Sequence, residues 1–456
     1  MMVNVFIQAV NRRSLALIAC ESLFITAAVG LIAYLLYGGQ PGPFLMTPNL
    51  ALKSLLIAFM CQVCLYYADL YEFGMTSDRR ELFARILKAV GISSIMIGAL
   101  YFWFPGLVIG NGVVQITAVI AVALAIGWRI TFVWLTRSVA PRQRFLIVGT
   151  SATARHFARE LQSREEVGVT IVGFVDAEPA ADVIGSFDDI PAIVRARSVD
   201  RVVVSLADAR GKLPMETLLQ MKLDGVTFDH LASVYEEYTG KIAVENLRPS
   251  WLIFADGFRK TRRHAIVKRA VDVAVAAAAL ILLTPVLVAI AIAIRLTSRG
   301  PVFYHQRRVG QNGQLFHVHK FRSMCEDAEA ASGAVWAAKG DARITPLGRI
   351  LRRTRLDELP QFWNIFCGHM SLVGPRPERP EFVGALSQQI RFYAQRHIVK
   401  PGLTGWAQVR YTYGASVEDA LEKLQYDLFY IKHMSITMDL MIMLETVKTV
   451  ILRRGA

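Results

Sequence analysis

Two adjacent carboxylates, Asp357 and Glu358, follow Arg352-Arg353-Thr354-Arg355-Leu356 and precede Leu359-Pro360-Gln361-Phe362-Trp363-Asn364. On a helix, neighbouring side chains point about 100° apart, so both acids could reach one cleft. An ion pair with the nearby arginines would account for them equally well, and spacing alone leaves both readings open. Downstream, Ser371-Leu372-Val373-Gly374-Pro375-Arg376-Pro377-Glu378 locks the backbone on either side of Arg376, which favours a fixed guanidinium. Upstream, apolar alternation on both sides of Asn312-Gly313 is the pattern of a β-hairpin. Such a hairpin would hold Arg308 near Lys320 and Arg322, a cluster that suits phosphates or forms a solvated basic face. Lys400-Pro401-Gly402-Leu403-Thr404-Gly405-Trp406 adds a further glycine-rich turn.

Other reactive residue types have weaker patterns. His317 and His319 would share one face of a strand, as zinc ligands do, but no third ligand is evident nearby. Cys61-Gln62-Val63-Cys64 has redox or metal spacing, yet it lies in an apolar run without a second pair and reads as buried, inert thiols. Cys20, Cys325 and Cys367 are scattered, as in a reducing compartment.

The elements that must position these residues are largely apolar. Of 456 residues, 54% are hydrophobic and only 19% charged, which excludes disorder, a collagen-like chain and a small disulfide scaffold and argues against a wholly soluble single-domain enzyme. Four runs are long enough to cross a bilayer: Leu15–Tyr37, Leu50–Tyr67, Ala89–Ile109 and Val113–Thr136. Arg12 and Arg13 precede the first; Arg79, Arg80, Arg85 and Lys88 separate the second from the third; Arg137, Arg142 and Arg144 follow the fourth. The two remaining loops carry no Lys or Arg, so both ends of this bundle are expected in the cytoplasm. A fifth run, Val273–Ile294, contains Thr284-Pro285 and has basic residues on both sides. Spanning would send the most basic part of the chain outside, and Pro285 can bend a helix. A helix over 268–295 that dips into one leaflet and returns at Thr284 and Pro285 satisfies both, with an ordinary span as the alternative.

Between these runs, residues 142–250 alternate strand and helix: Arg144–Val148, Ala154–Gln162, Val169–Val175, Ile193–Ser198 and Arg201–Leu206. That order implies a doubly wound parallel sheet, a Rossmann-like domain. Its first turn, Gly149-Thr150-Ser151-Ala152-Thr153-Ala154, has Ser151 where a dinucleotide fingerprint needs a second glycine, so no working NAD site is expected. The organisation is thus a four-span domain over 1–141, a Rossmann-like domain over 142–250, a linker over 251–262 and a C-terminal domain over 263–456. The last 198 residues hold 29 Lys/Arg against 15 Asp/Glu, a surplus that calls for an anionic partner: nucleic acid, phospholipid or a phosphorylated substrate.

Residues 263–456 closely resemble the bacterial sugar transferases, the monotopic phosphoglycosyl transferases that act on polyprenyl phosphate. The matching stretches are Lys268-Arg269 with Asp272, Thr284-Pro285, Gln306 to Gly310, Lys320-Phe321-Arg322, Leu356 to Gln361, Ser371 to Glu378 and Pro401 to Gly405. Four spans and a Rossmann-like middle resemble the large-form members that initiate exopolysaccharide synthesis. The resemblance implies a membrane protein with a four-helix transmembrane bundle, a cytoplasmic Rossmann-like α/β domain and an α/β catalytic domain on a re-entrant helix. It implies transfer of hexose 1-phosphate from a UDP-sugar to undecaprenyl phosphate at the cytoplasmic face of the inner membrane, with release of UMP. Asp357 would be the nucleophile and Glu358 a ligand of Mg²⁺, with Asp357 as a second candidate ligand. Lys268, Arg269, Arg308, Lys320, Arg322, Arg376 and Thr404 would bind substrate or phosphate. Inner-membrane lipid, a homodimer and downstream glycosyltransferases complete the partners, and the sugar is left open. One departure is His369, where the family usually has an acid.

Two rival readings carry less of the sequence. A membrane-anchored NAD-dependent dehydratase or epimerase needs Tyr-x-x-x-Lys, and no lysine here has tyrosine four residues before it. A non-catalytic membrane sensor or scaffold leaves the joint occurrence of Asp357-Glu358 and Pro375-Arg376-Pro377 unexplained. Nucleic acid is not expected as a partner, because no binding module is present.

Overall fold

The structure is a computed structural model. It describes residues 12–36, 49–71, 79–109, 127–128, 131, 142–163, 168–205, 215–244, 257–258, 261–325, 343–411, 414 and 416–451. Chain contacts divide into two compact units, Val3–Leu231 and Ala232–Ala456.

The first unit begins with three apolar helices, Arg12–Leu36, Leu50–Tyr67 and Arg79–Trp103. Ile25, Val29 and Ile32 of the first pack on Ile57, Ala58 and Cys61 of the second and Ile97 of the third, while Leu23, Leu55, Phe59 and Ile95 stay exposed, as lipid-facing residues do. The third run, expected over Ala89–Ile109, is displaced. Its helix starts ten residues earlier because the basic loop residues are already helical. It ends at Trp103 because Phe104, which precedes Pro105, leaves the helical conformation (φ −131°, ψ 74°) before a short 3₁₀ turn, Pro105–Leu107. The fourth expected run lies almost wholly outside the described residues. Cys61 and Cys64 are buried free thiols.

The α/β part of this unit is a five-stranded parallel sheet in the order β3-β2-β1-β4-β5, with β1 Gln143–Val148, β2 Val169–Val175, β3 Val183–Gly185, β4 Arg201–Val204 and β5 Thr227–His230. Phe145 to Val148 are fully buried at its centre. The order, reversing at β1, is that of a nucleotide-binding sheet, but the loop after β1 is closed on itself. Asp176, at the end of β2, accepts from Thr150 N–H (2.8 Å), Thr150 Oγ1 (2.6 Å) and Ala177 N–H (2.7 Å). Ser151 Oγ caps Ala154 N–H (3.1 Å) and meets Ser205 Oγ (2.6 Å). An acid at this place would otherwise serve a ribose hydroxyl. Millimolar NAD should therefore leave the melting temperature of the full-length protein unchanged; a saturable rise would overturn this reading.

The second unit opens with helix Leu231–Thr239, cut by the division at its first residue. Residues 236–244, placed by sequence within the Rossmann-like domain, form a strap on the C-terminal core. Glu236 meets Lys432 Nζ (2.7 Å) and the His433 ring, Lys241 pairs with Glu422 (2.6 Å), Trp406 Nε1 donates to Gly240 O (2.9 Å) and Ile242 N–H to Gln425 O (3.1 Å).

Helix Arg262–Thr297 follows, 36 residues without interruption and with Pro285 in its interior. Its first part is fastened by Lys268 to Asp439 (2.6 Å) and by Asp272 Oδ1, which accepts Leu372 N–H (3.0 Å). Its last part is fastened by Ile290 and Ile294 against Phe321 and Leu351. Between these points Ile281 and Leu282 are 73% and 75% exposed, far more than a core helix would allow. Thr284 Oγ1 donates to Leu280 O (2.6 Å), a back-bond that, like Pro285 beside it, favours bending.

Strands β6 (Phe303–Val309) and β7 (Leu315–Phe321) form the antiparallel hairpin expected around Asn312, whose φ of 55° suits the turn. Helix Pro346–Arg353, a 3₁₀ turn Leu356–Glu358 and helix Gln361–Cys367 come next. Strands β8 (Ser371–Val373) and β9 (Gly402–Thr404) pair in parallel. Their crossing is so close that a Cβ on Gly402 would lie 2.1 Å from Gly374 N. Helices Val417–His433 and Ile436–Ile451 close the unit.

Candidate active site

Asp357 and Glu358 lie on the 3₁₀ turn and not on a regular helix, as the 100° argument had assumed. The turn is entered through Arg355 in the left-handed conformation (φ 59°, ψ 14°), unusual for a residue with a side chain. No residue type in the sequence signals that strain. Both acids are buried, at 7% and 9% exposure, yet their surroundings differ.

Glu358 Oε1 accepts from Lys320 Nζ (3.1 Å) and Arg376 Nη2 (2.8 Å), and Arg355 Nη1 lies 3.8 Å from Oε2. Burial pushes its carboxyl up, but Arg376, Lys320 and Arg355 outweigh burial and hold it well below the usual carboxylate range. Asp357 moves the other way: burial, then the charge of Glu358, push it above that range against Lys320, Arg352 and Arg355. Its Oδ1 is buried without a hydrogen-bond partner among the described residues. One acid is thus firmly ionised and saturated with cations, and the other is ionised less readily and holds a spare oxygen. Opposed shifts in adjacent acids are how a site assigns them different roles. Burial also pushes the Lys320 ammonium down, with Glu358 opposing.

The remaining expected residues divide. Arg376 and Lys320 are brought to the acids. Arg308 keeps to its own surroundings, donating through Nε and Nη2 to Gln306 Oε1 (3.0 and 2.6 Å) and through Nη1 to Pro377 O (2.9 Å), with Glu378 at 3.5 Å; burial pushes it down to about 10. Arg322 binds Arg299 O (2.6 Å) and Ser298 O (3.0 Å) and so caps the end of the long helix. Lys268 is paired with Asp439, and Arg269 caps helix Gln361–Cys367 through Ile365 O (2.7 Å) and Phe366 O (2.8 Å). Thr404 Oγ1 meets Thr446 Oγ1 at 2.5 Å. Each of these five holds a main chain or a neighbouring helix. His369 stacks on Phe316, with ring centroids 6.1 Å apart. His319 Nδ1 meets His305 Nδ1 across the hairpin at 2.7 Å.

Sequence reasoning passed over Asn364, Arg396 and Asp427. Asn364 is fully buried; its Oδ1 accepts His319 N–H (3.0 Å) and its Nδ2 donates to His317 O (2.7 Å), which aligns the helix after the acids with the strand that carries Lys320. Polar residues inside apolar surroundings were the available signal.

For a divalent ion, no group of three or more His, Cys, Asp or Glu stands ready among the described residues. The chemistry of the pair still fits Mg²⁺, which is commonly held by one or two carboxylates together with substrate phosphates. The spare Asp357 Oδ1 and Glu358 Oε2 are the oxygens that would serve.

A buried carboxylate beside one saturated with cations, in a unit that carries a largely exposed apolar helix, is an arrangement suited to phosphorylated substrates at a membrane. Comparison with known proteins agrees. The family described as bacterial sugar transferase matches residues 263–453, and a family described as CoA-binding domain matches residues 67–217. An undecaprenyl-phosphate glucose phosphotransferase of Komagataeibacter xylinus is 32% identical over 363 residues, 78% of this chain and 68% of the relative. A UDP-N-acetylgalactosamine-undecaprenyl-phosphate N-acetylgalactosaminephosphotransferase of Aeromonas hydrophila is 40% identical over 227 residues, 50% of this chain and 53% of the relative. The exopolysaccharide production protein PSS of Rhizobium leguminosarum is 42% identical over 187 residues, 40% of this chain but 94% of its own length. The chain belongs to the bacterial sugar transferase family, in its large form. The chain spans about half the length of the Aeromonas relative and about two thirds of the Komagataeibacter one. The dehydratase and scaffold readings are set aside by this membership.

Proposed function

We propose that the protein transfers a sugar 1-phosphate from a UDP-sugar to undecaprenyl phosphate, the membrane step that initiates polysaccharide synthesis. The observation that carries this is the pairing of a buried carboxylate oxygen without a hydrogen-bond partner among the described residues (Asp357) with a neighbour held by Lys320 and Arg376. A carboxylate oxygen of Asp357 attacks the phosphorus that bears the sugar, and the bond from that phosphorus to the oxygen of UMP breaks. The resulting acyl phosphate on Asp357 is then attacked by a phosphate oxygen of the lipid, which regenerates the carboxylate. Burial, which makes Asp357 more basic, favours the first step. Glu358 anchors Lys320 and Arg376 so that both cations face charge developing on the transferred group. When bound, Mg²⁺ supplies further neutralisation of the diphosphate.

The same domain must meet a lipid substrate. Both ends of helix Arg262–Thr297 are fastened to the C-terminal unit while its middle is exposed. A helix that enters and leaves one leaflet meets that condition, and a span would place its ends on opposite faces. With the positive-inside pattern this supports a re-entrant helix, a four-span bundle and catalysis at the cytoplasmic face of the inner membrane. Cysteines introduced by Ala265→Cys and Arg299→Cys, in a background without exposed thiols, should both be inaccessible to an impermeant maleimide in intact cells. Labelling of the second alone would establish a span. The function itself is tested with purified protein, undecaprenyl phosphate, Mg²⁺ and a panel of UDP-sugars, following UMP. Release with none of them would overturn the proposal, and the sugar that supports turnover identifies the donor. A homodimer and association with downstream glycosyltransferases belong to the same proposal.

A further inference from the structure

Pro375 and Pro377 have no N–H, so the carbonyls of the segment that presents Arg376 are its main handles on the rest of the molecule. All four successive carbonyls are held. Pro375 O accepts Gly402 N–H (2.9 Å), Arg376 O accepts Arg396 Nη2 (3.1 Å), Pro377 O accepts Arg308 Nη1 (2.9 Å) and Glu378 O accepts Val309 N–H (2.9 Å). Two of these donors are backbone and two are arginine side chains, Arg308 half-buried and Arg396 buried.

The bond to Arg376 itself comes from the buried arginine. Arg396 is 4% exposed; its Nη1 donates to Tyr393 Oη (2.7 Å), and its Nη2 lies 2.8 Å from Asp427 Oδ2, a carboxylate 1% exposed. Burying such a pair costs desolvation that its own attraction does not reliably offset, so its contribution to stability alone is a weak account of it. What it does in the fold is specific: it joins the 3₁₀ turn Tyr393–Ile398 and helix Val417–His433 to the main chain of Arg376. From that main chain Arg376 reaches Glu358 Oε1 at 2.8 Å.

We infer that Arg396 and Asp427 are positioning residues for the reaction: they fix the backbone from which Arg376 addresses Glu358 and the donor phosphates. The inference rests on the function proposed above. It differs from a general stabilising role in one respect. Positioning acts only through Arg376, so its effect on turnover disappears once the Arg376 guanidinium is gone.

The test is a double-mutant cycle on the full-length protein in detergent, with initial rates of UMP release and melting temperatures measured together. Arg396→Met with Asp427→Leu removes both charges and so leaves no unpaired buried ion. This pair of changes should lower kcat about tenfold to a hundredfold, the range for loss of a charge-assisted bond. Introduced into Arg376→Ala, the same pair should cost less than about twofold further. Should the paired variant fail to fold, Arg396→Lys enters the same cycle, since an ammonium can face Asp427 but cannot reproduce the guanidinium fork. An unchanged kcat, or an equal loss in both backgrounds, overturns the inference while leaving the proposed reaction intact. A wild-type protein that releases no UMP overturns the reaction and this inference with it.

Discussion

Asp357→Asn should abolish UMP release from the lipid-free enzyme and, with it, the gain in mass of one sugar phosphate seen by intact-protein mass spectrometry. The wild type, given its UDP-sugar and Mg²⁺ alone, should release about one UMP per chain. An amide has nearly the same size but little nucleophilicity, so the loss should be at least about a thousandfold. The competing mechanism is direct attack by the lipid in a ternary complex; under it no adduct forms without lipid, and raised metal partly rescues the variant. Two further readings separate a missing nucleophile from a damaged fold. Because burial and Glu358 raise the Asp357 carboxyl, its reactive form is lost as pH falls through a value above the ordinary one. The acid limb of kcat/KM should lie correspondingly high. The stability linked to this group is present at low pH and lost as pH rises through the folded value, so Asp357→Asn should raise the melting temperature at neutral pH.

Glu358→Gln should do the opposite to stability while also impairing turnover. Its carboxyl is held well below the usual range, so its contribution is present above the unfolded value and lost as pH falls through the folded one. At neutral pH the change leaves Lys320 and Arg376 facing a neutral amide. The cost should be on the order of 3 kcal/mol, the lower end of what breaking a buried pair costs, with a clear fall in melting temperature. Turnover should drop about a hundredfold, because two cations lose their anchor in a site that works by preorganised charge. Magnesium titration then divides the possible roles of Glu358. A raised Mg²⁺ requirement marks it as a ligand, whereas an unchanged requirement with the same loss of rate marks it as an anchor for the two cations alone.

Much of this was legible in the residues. Asn312-Gly313 specified the hairpin, and apolar runs gave β1, β2 and β4 of the parallel sheet. The three-residue β3 is too short to show a period, and the four-residue β5, Thr-Phe-Asp-His, lacks the apolar run that marks β4 at the same length. Asp357 and Glu358 could be picked out as adjacent acids beside arginines and large apolar residues, Arg376 by the prolines on either side of it, and Lys320 by the hairpin that carries it. What side chains of like charge would hold was not legible. Arg308, Arg322 and Arg269 look as suited to phosphate as Arg376 does, and only the fold turns them toward carbonyls. The left-handed Arg355 carries no mark in its residue type. The Arg396–Asp427 pair joins residues 31 positions apart, beyond the reach of any local pattern.

The strap over residues 236–244 bears on where this protein divides into transplantable parts. The Rhizobium relative is matched over 94% of its length by only 40% of this chain, so a relative can be far shorter than this protein. In this chain, however, the C-terminal region has become moulded to a preceding piece: Trp406, Glu422, Lys432 and His433 all face it. A gene cut at the edge of the family match, residue 263, would strip that piece away and uncover the Trp406 indole and the charged groups it pairs with. A cut at Ala232, where the chain divides into two compact units, would instead keep the strap on its seat.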